Sequence, residues 1–118
     1  MAQHYRELIA WQKAMDLVVH VYDITKQFPD DERFGLVSQM RRCAVSVPSN
    51  IAEGQARNSK GEFLQFLGIA RGSVAELTTQ ILISERLGYL TAHEATISMT
   101  DEVGRILSGL INSLRTNN

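Results

Sequence analysis

The chain has 118 residues, 44% of them hydrophobic and 21% charged, a length that leaves little room for a second hydrophobic core and a composition far from the disordered extreme. No apolar run reaches the ~18 residues needed to cross a bilayer, and the formal charge of −1 departs from the strongly basic balance of a dedicated nucleic-acid binder. The opening Met1-Ala2-Gln3-His4-Tyr5-Arg6-Glu7 lacks the apolar stretch of a signal peptide and the lone Cys43 reads as a small buried hydrophobe in a reducing compartment, so a single cytoplasmic domain over residues 1–118 is expected.

Apolar side chains first recur at helical spacing in Leu8, Trp11, Met15, Val18 and Tyr22, which predicts a helix over residues 6–27. A second stripe, Ala14, Leu17, Val21, Ile24 and Phe28, runs beside it. Together the two stripes cover roughly 200° of the helix, whereas a bundle core needs little more than ~100° from each member. The surplus points to contact with another subunit, with Trp11 and Tyr22 as candidate anchors; cover by neighbouring helices and the N-terminal tail is the competing reading. Pro29 stops this helix, and an Asp at the following Asp30-Asp31-Glu32 can cap the next.

The second predicted helix spans 31–54, with Leu36, Met40, Ala44, Val47 and Ile51 as its apolar stripe and Gly54 as its stop. Pro48 lies inside it. A proline there removes the donor for the Ala44 carbonyl, so a kink is expected, with Ser46, Ser49 and Asn50 placed to satisfy freed backbone groups. The third helix, 60–87, opens on a capping-box spacing at Ser59 and Glu62 and carries Phe63, Leu67, Ala70, Val74, Leu77 and Ile81. Gly68 and Gly72 share one of its faces and predict close approach of a neighbouring helix, with the kink as the candidate place. After Gly88, a second such spacing at Thr91 and Glu94 opens a fourth helix over 92–115, with Met99, Val103, Ile106 and Leu110. No segment alternates with period two for long enough to form a strand. The fold expected is all-α: an antiparallel up-down-up-down four-helix bundle with a proline kink in helix 2.

Catalytic constellations are missing from the sequence. The Glu-x-x-His pattern of bundle metal sites does not occur, His4, His20 and His93 lack ligand spacing, and neither a nucleophile elbow nor a phosphate-cradling loop is present. Glu53 is the only acidic residue between Arg33 and Lys60 and suits an ion pair better than acid-base work. We therefore expect no enzyme, no metal, no cofactor and no small-molecule substrate. Charge is uneven, however: residues 33–71 hold six basic and two acidic residues, a balance of +4, against −5 elsewhere. Arg41, Arg42, Arg57, Lys60 and Arg71 are accordingly candidates for contact with RNA or DNA phosphates. Solvated helix faces with intramolecular ion pairs explain the same pattern and leave a self-assembling scaffold as the alternative.

The stretch Gln39-Met40-Arg41-Arg42-Cys43-Ala44-Val45-Ser46-Val47-Pro48-Ser49-Asn50-Ile51-Ala52-Glu53-Gly54 resembles the four-helix-bundle proteins encoded in intervening sequences of bacterial 23S ribosomal RNA genes. Trp11-Gln12-Lys13-Ala14, Phe28-Pro29, the run Phe66 to Ser73 and Leu87-Gly88-Tyr89-Leu90 extend the likeness over nearly the whole chain. The resemblance implies a helical bundle that assembles into a closed homo-oligomeric ring of five subunits. It also extends to the accessory proteins of diversity-generating retroelements, in which a basic surface is associated with nucleic-acid binding.

Overall fold

Four stretches of apolar residues at three- and four-residue spacing wind into helices in the computed structural model, which describes residues 4–116; the opening Met1-Ala2-Gln3 read above for a leader lies outside the described residues. The helices are α1 (Ile9–Thr25), α2 (Leu36–Gln55), α3 (Lys60–Arg86) and α4 (Glu94–Thr116). α1 packs on α2 and α4, α3 packs on the same two, and no Cα atoms of the diagonal pairs come within 8 Å of each other. The packing is that of a bundle, with no strand among the described residues.

Helix boundaries depart from the sequence expectation where side chains satisfy backbone groups from outside a helix. Tyr5–Glu7 forms a separate 3₁₀ turn, because the His4 ring accepts from the Arg6 amide and the Glu7 carboxylate accepts from the His4 amide. Extended Leu8 then resets the chain before α1. Asp30–Glu32 is likewise its own 3₁₀ turn, so α2 starts five residues later than the expected residue 31. Its first amide is met by neither Asp: Leu36 N donates to Glu32 Oε1 at 3.1 Å. That same carboxylate accepts from the Tyr89 hydroxyl at 3.0 Å through Oε2, an acceptor that holds the phenol above its usual pKa. Ser59 caps α3 as its spacing predicted, accepting from Glu62 N at 3.1 Å. Left-handed Gly88, at φ +79°, closes α3, with the Tyr89 amide reaching back to the Ser84 carbonyl at 2.9 Å.

The core selects the second stripe of α1. Ala14, Leu17 and Val21 are fully buried with Met40, Ile51, Leu67, Leu77, Ile81, Leu107 and Ile111, whereas Met15 and Tyr22 of the first stripe remain 40% and 41% exposed. Trp11 and Val18 lie half-buried at the core's edge. In α4 the buried face is likewise turned by about one residue from the expected stripe, to Thr96, Thr100, Val103, Leu107 and Ile111. Threonines are tolerated there because their hydroxyls have partners: Thr100 donates to the Ile97 carbonyl, and Thr96 Oγ1 lies 2.7 Å from His20 Nε2.

Three glycines differ in role from the sequence expectation. α2 ends at Gln55, one residue past Gly54, but Gly54 is there for packing: it is buried, and a Cβ added to it would lie 2.5 Å from Phe66 Cβ and 3.2 Å from the Phe63 ring. The close approach expected at Gly68 and Gly72 is therefore at Gly54, since an added Cβ at either α3 position meets nothing within 4 Å. α2 runs without interruption through buried Pro48. Beside it Asn50 Nδ2 donates to the Ser46 carbonyl at 2.7 Å, and Ser46 Oγ donates to the Cys43 carbonyl at 2.6 Å while lying 2.7 Å from Ser73 Oγ of α3.

Candidate functional site

The five basic residues singled out above occupy three separate places. At one end of the bundle Arg57 and Lys60 flank the α2–α3 connection, where they line a depression with Leu8, Phe63 and Leu114. The Arg57 guanidinium is already matched there, 2.8 Å from Glu53, 3.9 Å from Glu62 and 5.0 Å above the Phe66 ring. Arg71 sits on the α3–α4 groove within 3.5 Å of Ser108 Oγ. Arg41 and Arg42 lie toward the opposite end of α2, roughly 20 Å along the helix from Arg57 at ~1.5 Å per residue.

Arg41 and Arg42 divide their work as adjacent helical positions do. Arg41 is half-buried over α1: its Nε donates to Thr25 Oγ1 at 2.9 Å, one terminal nitrogen donates to the Tyr22 carbonyl at 3.2 Å, and the guanidinium lies 4.6 Å from the Tyr22 ring centre. Arg42 is exposed. Both line an open depression of about 540 Å³ with Tyr22, Val45 and two residues the sequence reading had not assigned to a site, Arg33 and Phe34. Phe34 is 88% exposed, with the Arg33 guanidinium 5.3 Å from its ring centre. In the sequence Phe34 is marked only by standing beside Gly35 and outside every apolar stripe; its exposure is set by the adjoining 3₁₀ turn.

The anchors proposed on α1 separate in the same way. Trp11 packs edge-on against Tyr5, with ring centres 5.4 Å apart, and lines an apolar groove of about 360 Å³ between α1 and α2. Met15, Val18, Val45, Pro48 and Ala52 complete most of it, and no charged residue lines it. Tyr22 belongs instead to the arginine depression, and Val45 touches both. Pro48 thus forms part of the groove wall, while Asn50 braces the helix beside it.

The lone cysteine is chemically quiet. The buried Cys43 thiol donates to the Ser73 carbonyl at 3.1 Å, and burial, aided by the nearby Glu76 carboxylate, pushes its pKa up to about 11. A thiol so placed stays protonated near neutral pH and is a poor nucleophile. Among the described residues no group of three His, Cys, Asp or Glu side chains could hold a metal ion, and no helix is long and apolar enough to cross a membrane.

No curated protein matches the chain. The structure is similar to the crystal structure of a protein of unknown function from the S23 ribosomal protein family of Bacteroides thetaiotaomicron, with 21% identity and a TM-score of 0.81 over 88% of this chain and 96% of that one. At that identity the likeness concerns the fold. The sequence profile described as 23S rRNA-intervening sequence protein matches residues 6–109, which include all of α1, α2 and α3 and most of α4. The chain belongs to the 23S rRNA-intervening sequence protein family.

Proposed function

We propose that the protein works by assembling with copies of itself into a closed oligomeric scaffold, with the α1–α2 groove as the contact surface. The observation that carries this reading is the uncharged groove around Trp11, Met15, Val18, Val45 and Pro48, which leaves large apolar side chains partly in water along one seam. Covering it removes no charge from solvent, so the hydrophobic gain of ~25 cal/mol per Å² is not offset by desolvated ions. A second copy is the natural occupant, because exposed Ile69, Leu82 and Ile83 on α3, with Leu87 just past its end, offer separate apolar surface for a head-to-tail contact. Such contacts close into rings when the rotation permits, and the family likeness favours five subunits. A continuous phosphate track finds less support, since Arg57 is matched by Glu53 and Glu62 and Arg71 lies apart.

Analytical ultracentrifugation tests the proposal. Wild type should sediment as one discrete oligomer, and Trp11→Asp should shift it to a helical species near the 13.2 kDa monomer. A wild-type monomer at every concentration would refute the reading.

A further inference from the structure

Three arginines converge on one depression that no acidic residue lines. Arg33, Arg41 and Arg42 surround it, and among the described residues none of the three is in an ion pair. The nearest acid before Phe34 in the chain, Glu32, is occupied elsewhere by the Leu36 amide and the Tyr89 hydroxyl. Like charges placed together without counter-charge repel, and an anionic guest relieves that repulsion.

Arg41 is prepared for such a guest. Two of its five N–H groups are used on Thr25 and Tyr22, which fixes the plane of the guanidinium and leaves three donors. A fixed fork loses little freedom on binding an oxyanion. Beside it stands an aromatic ring with no role in the core: Phe34 is 88% exposed, and with a guanidinium against one face its other face remains available for a flat group. An oxyanion site next to an aromatic shelf matches one ligand chemistry, a phosphate joined to a planar base.

We propose that the depression bounded by Tyr22, Arg33, Phe34, Arg41 and Arg42 binds a nucleoside phosphate, with the base on Phe34 and the phosphate on the arginines. Its volume of about 540 Å³ falls within the ~300–1,000 Å³ of small-molecule sites. The guest is a free nucleotide or one residue of a single strand, which share this chemistry. The site shares Val45 with the groove around Trp11 but none of its arginines, so nucleotide binding and the self-assembly proposed above are read by separate measurements.

Isothermal titration at low ionic strength tests this with inorganic phosphate, adenosine, AMP, single-stranded oligoadenylate and oligoglutamate, each with sedimentation of the same sample. AMP should bind more tightly than phosphate or adenosine. Arg42→Ala should weaken AMP about tenfold or more, and Phe34→Ala should lower AMP to the level of phosphate. Both side chains are exposed, so circular dichroism and sedimentation should match wild type. Oligoadenylate binding more tightly than AMP identifies a strand as the guest, and equal binding identifies the free nucleotide. AMP no tighter than phosphate, oligoglutamate tighter than AMP, or variants that bind as wild type would each overturn the assignment, whatever the oligomeric state.

Discussion

Gly54→Ala probes the closest approach in the fold. The new Cβ would lie 2.5 Å from Phe66 Cβ, and both atoms are fixed to helix backbones, so no side-chain rotation relieves the contact. Ordinary carbon–carbon contact is ~3.5–4.0 Å, so α2 and α3 would have to part by roughly 1 Å. Overpacking of this kind costs about 1–3 kcal/mol, and the fixed backbones place this case at the upper end. Replacing a helical glycine by alanine returns about 1 kcal/mol, leaving a net loss of about 2 kcal/mol. At ~2.1 cal/mol/K per residue, the unfolding entropy of a chain this size is about 0.25 kcal/mol/K, and the melting temperature should fall by about 8 °C. Thermal circular dichroism at fixed protein concentration measures this. Phe66→Ala retains its own Cβ and should not rescue the variant. An unchanged or raised melting temperature would refute the reading that Gly54 is required by the Phe66 contact.

Gly68→Ala and Gly72→Ala carry the opposite sign: with open space at both positions, each should stabilise the bundle by about 0.5–1 kcal/mol, read as roughly 2–4 °C in the same melt. Pro48→Ala restores an amide for the Ala44 carbonyl and removes part of the groove wall, so the variant should remain helical while its sedimentation coefficient changes. Cys43 should react with iodoacetamide at pH 8 about a hundredfold more slowly than an unperturbed thiol, because raising its pKa from 9.0 to about 11 lowers the thiolate fraction by about that factor. The rate should climb as pH rises toward that value.

Periodicity made the four helices legible, and Ser59 marked the start of α3 through a local hydrogen bond visible as a three-residue spacing. The core face of α1 was not legible. Both of its stripes satisfy helical spacing, and the choice falls to Ala14, Leu17 and Val21 because these meet the residues that α2 and α4 present. Gly54 looked like punctuation because glycine commonly ends helices, whereas its reason for being there lies at Phe63 and Phe66 on the next helix. The candidate site was half visible. Charge counting found Arg41 and Arg42, but the partners that orient Arg41 lie 16 and 19 residues away on α1. Likewise, the pairing of Arg57 with Glu53 follows from i,i+4 spacing, while the exposure of Phe34 appears only once the adjoining turn is folded.

Glu32 has a consequence for how one end of the molecule comes apart. One oxygen of its carboxylate holds the first amide of α2 and the other holds the Tyr89 hydroxyl, just beyond α3. The Tyr89 ring in turn leans on Phe28, with ring centres 5.5 Å apart. Two connections distant in the chain therefore share a single latch. Losing it loosens both at once, which couples the opening of the α1–α2 and α3–α4 crossings by about the 1 kcal/mol of a hydrogen bond. A protease probing this end should therefore cut both crossings faster once Glu32 is replaced by Ala.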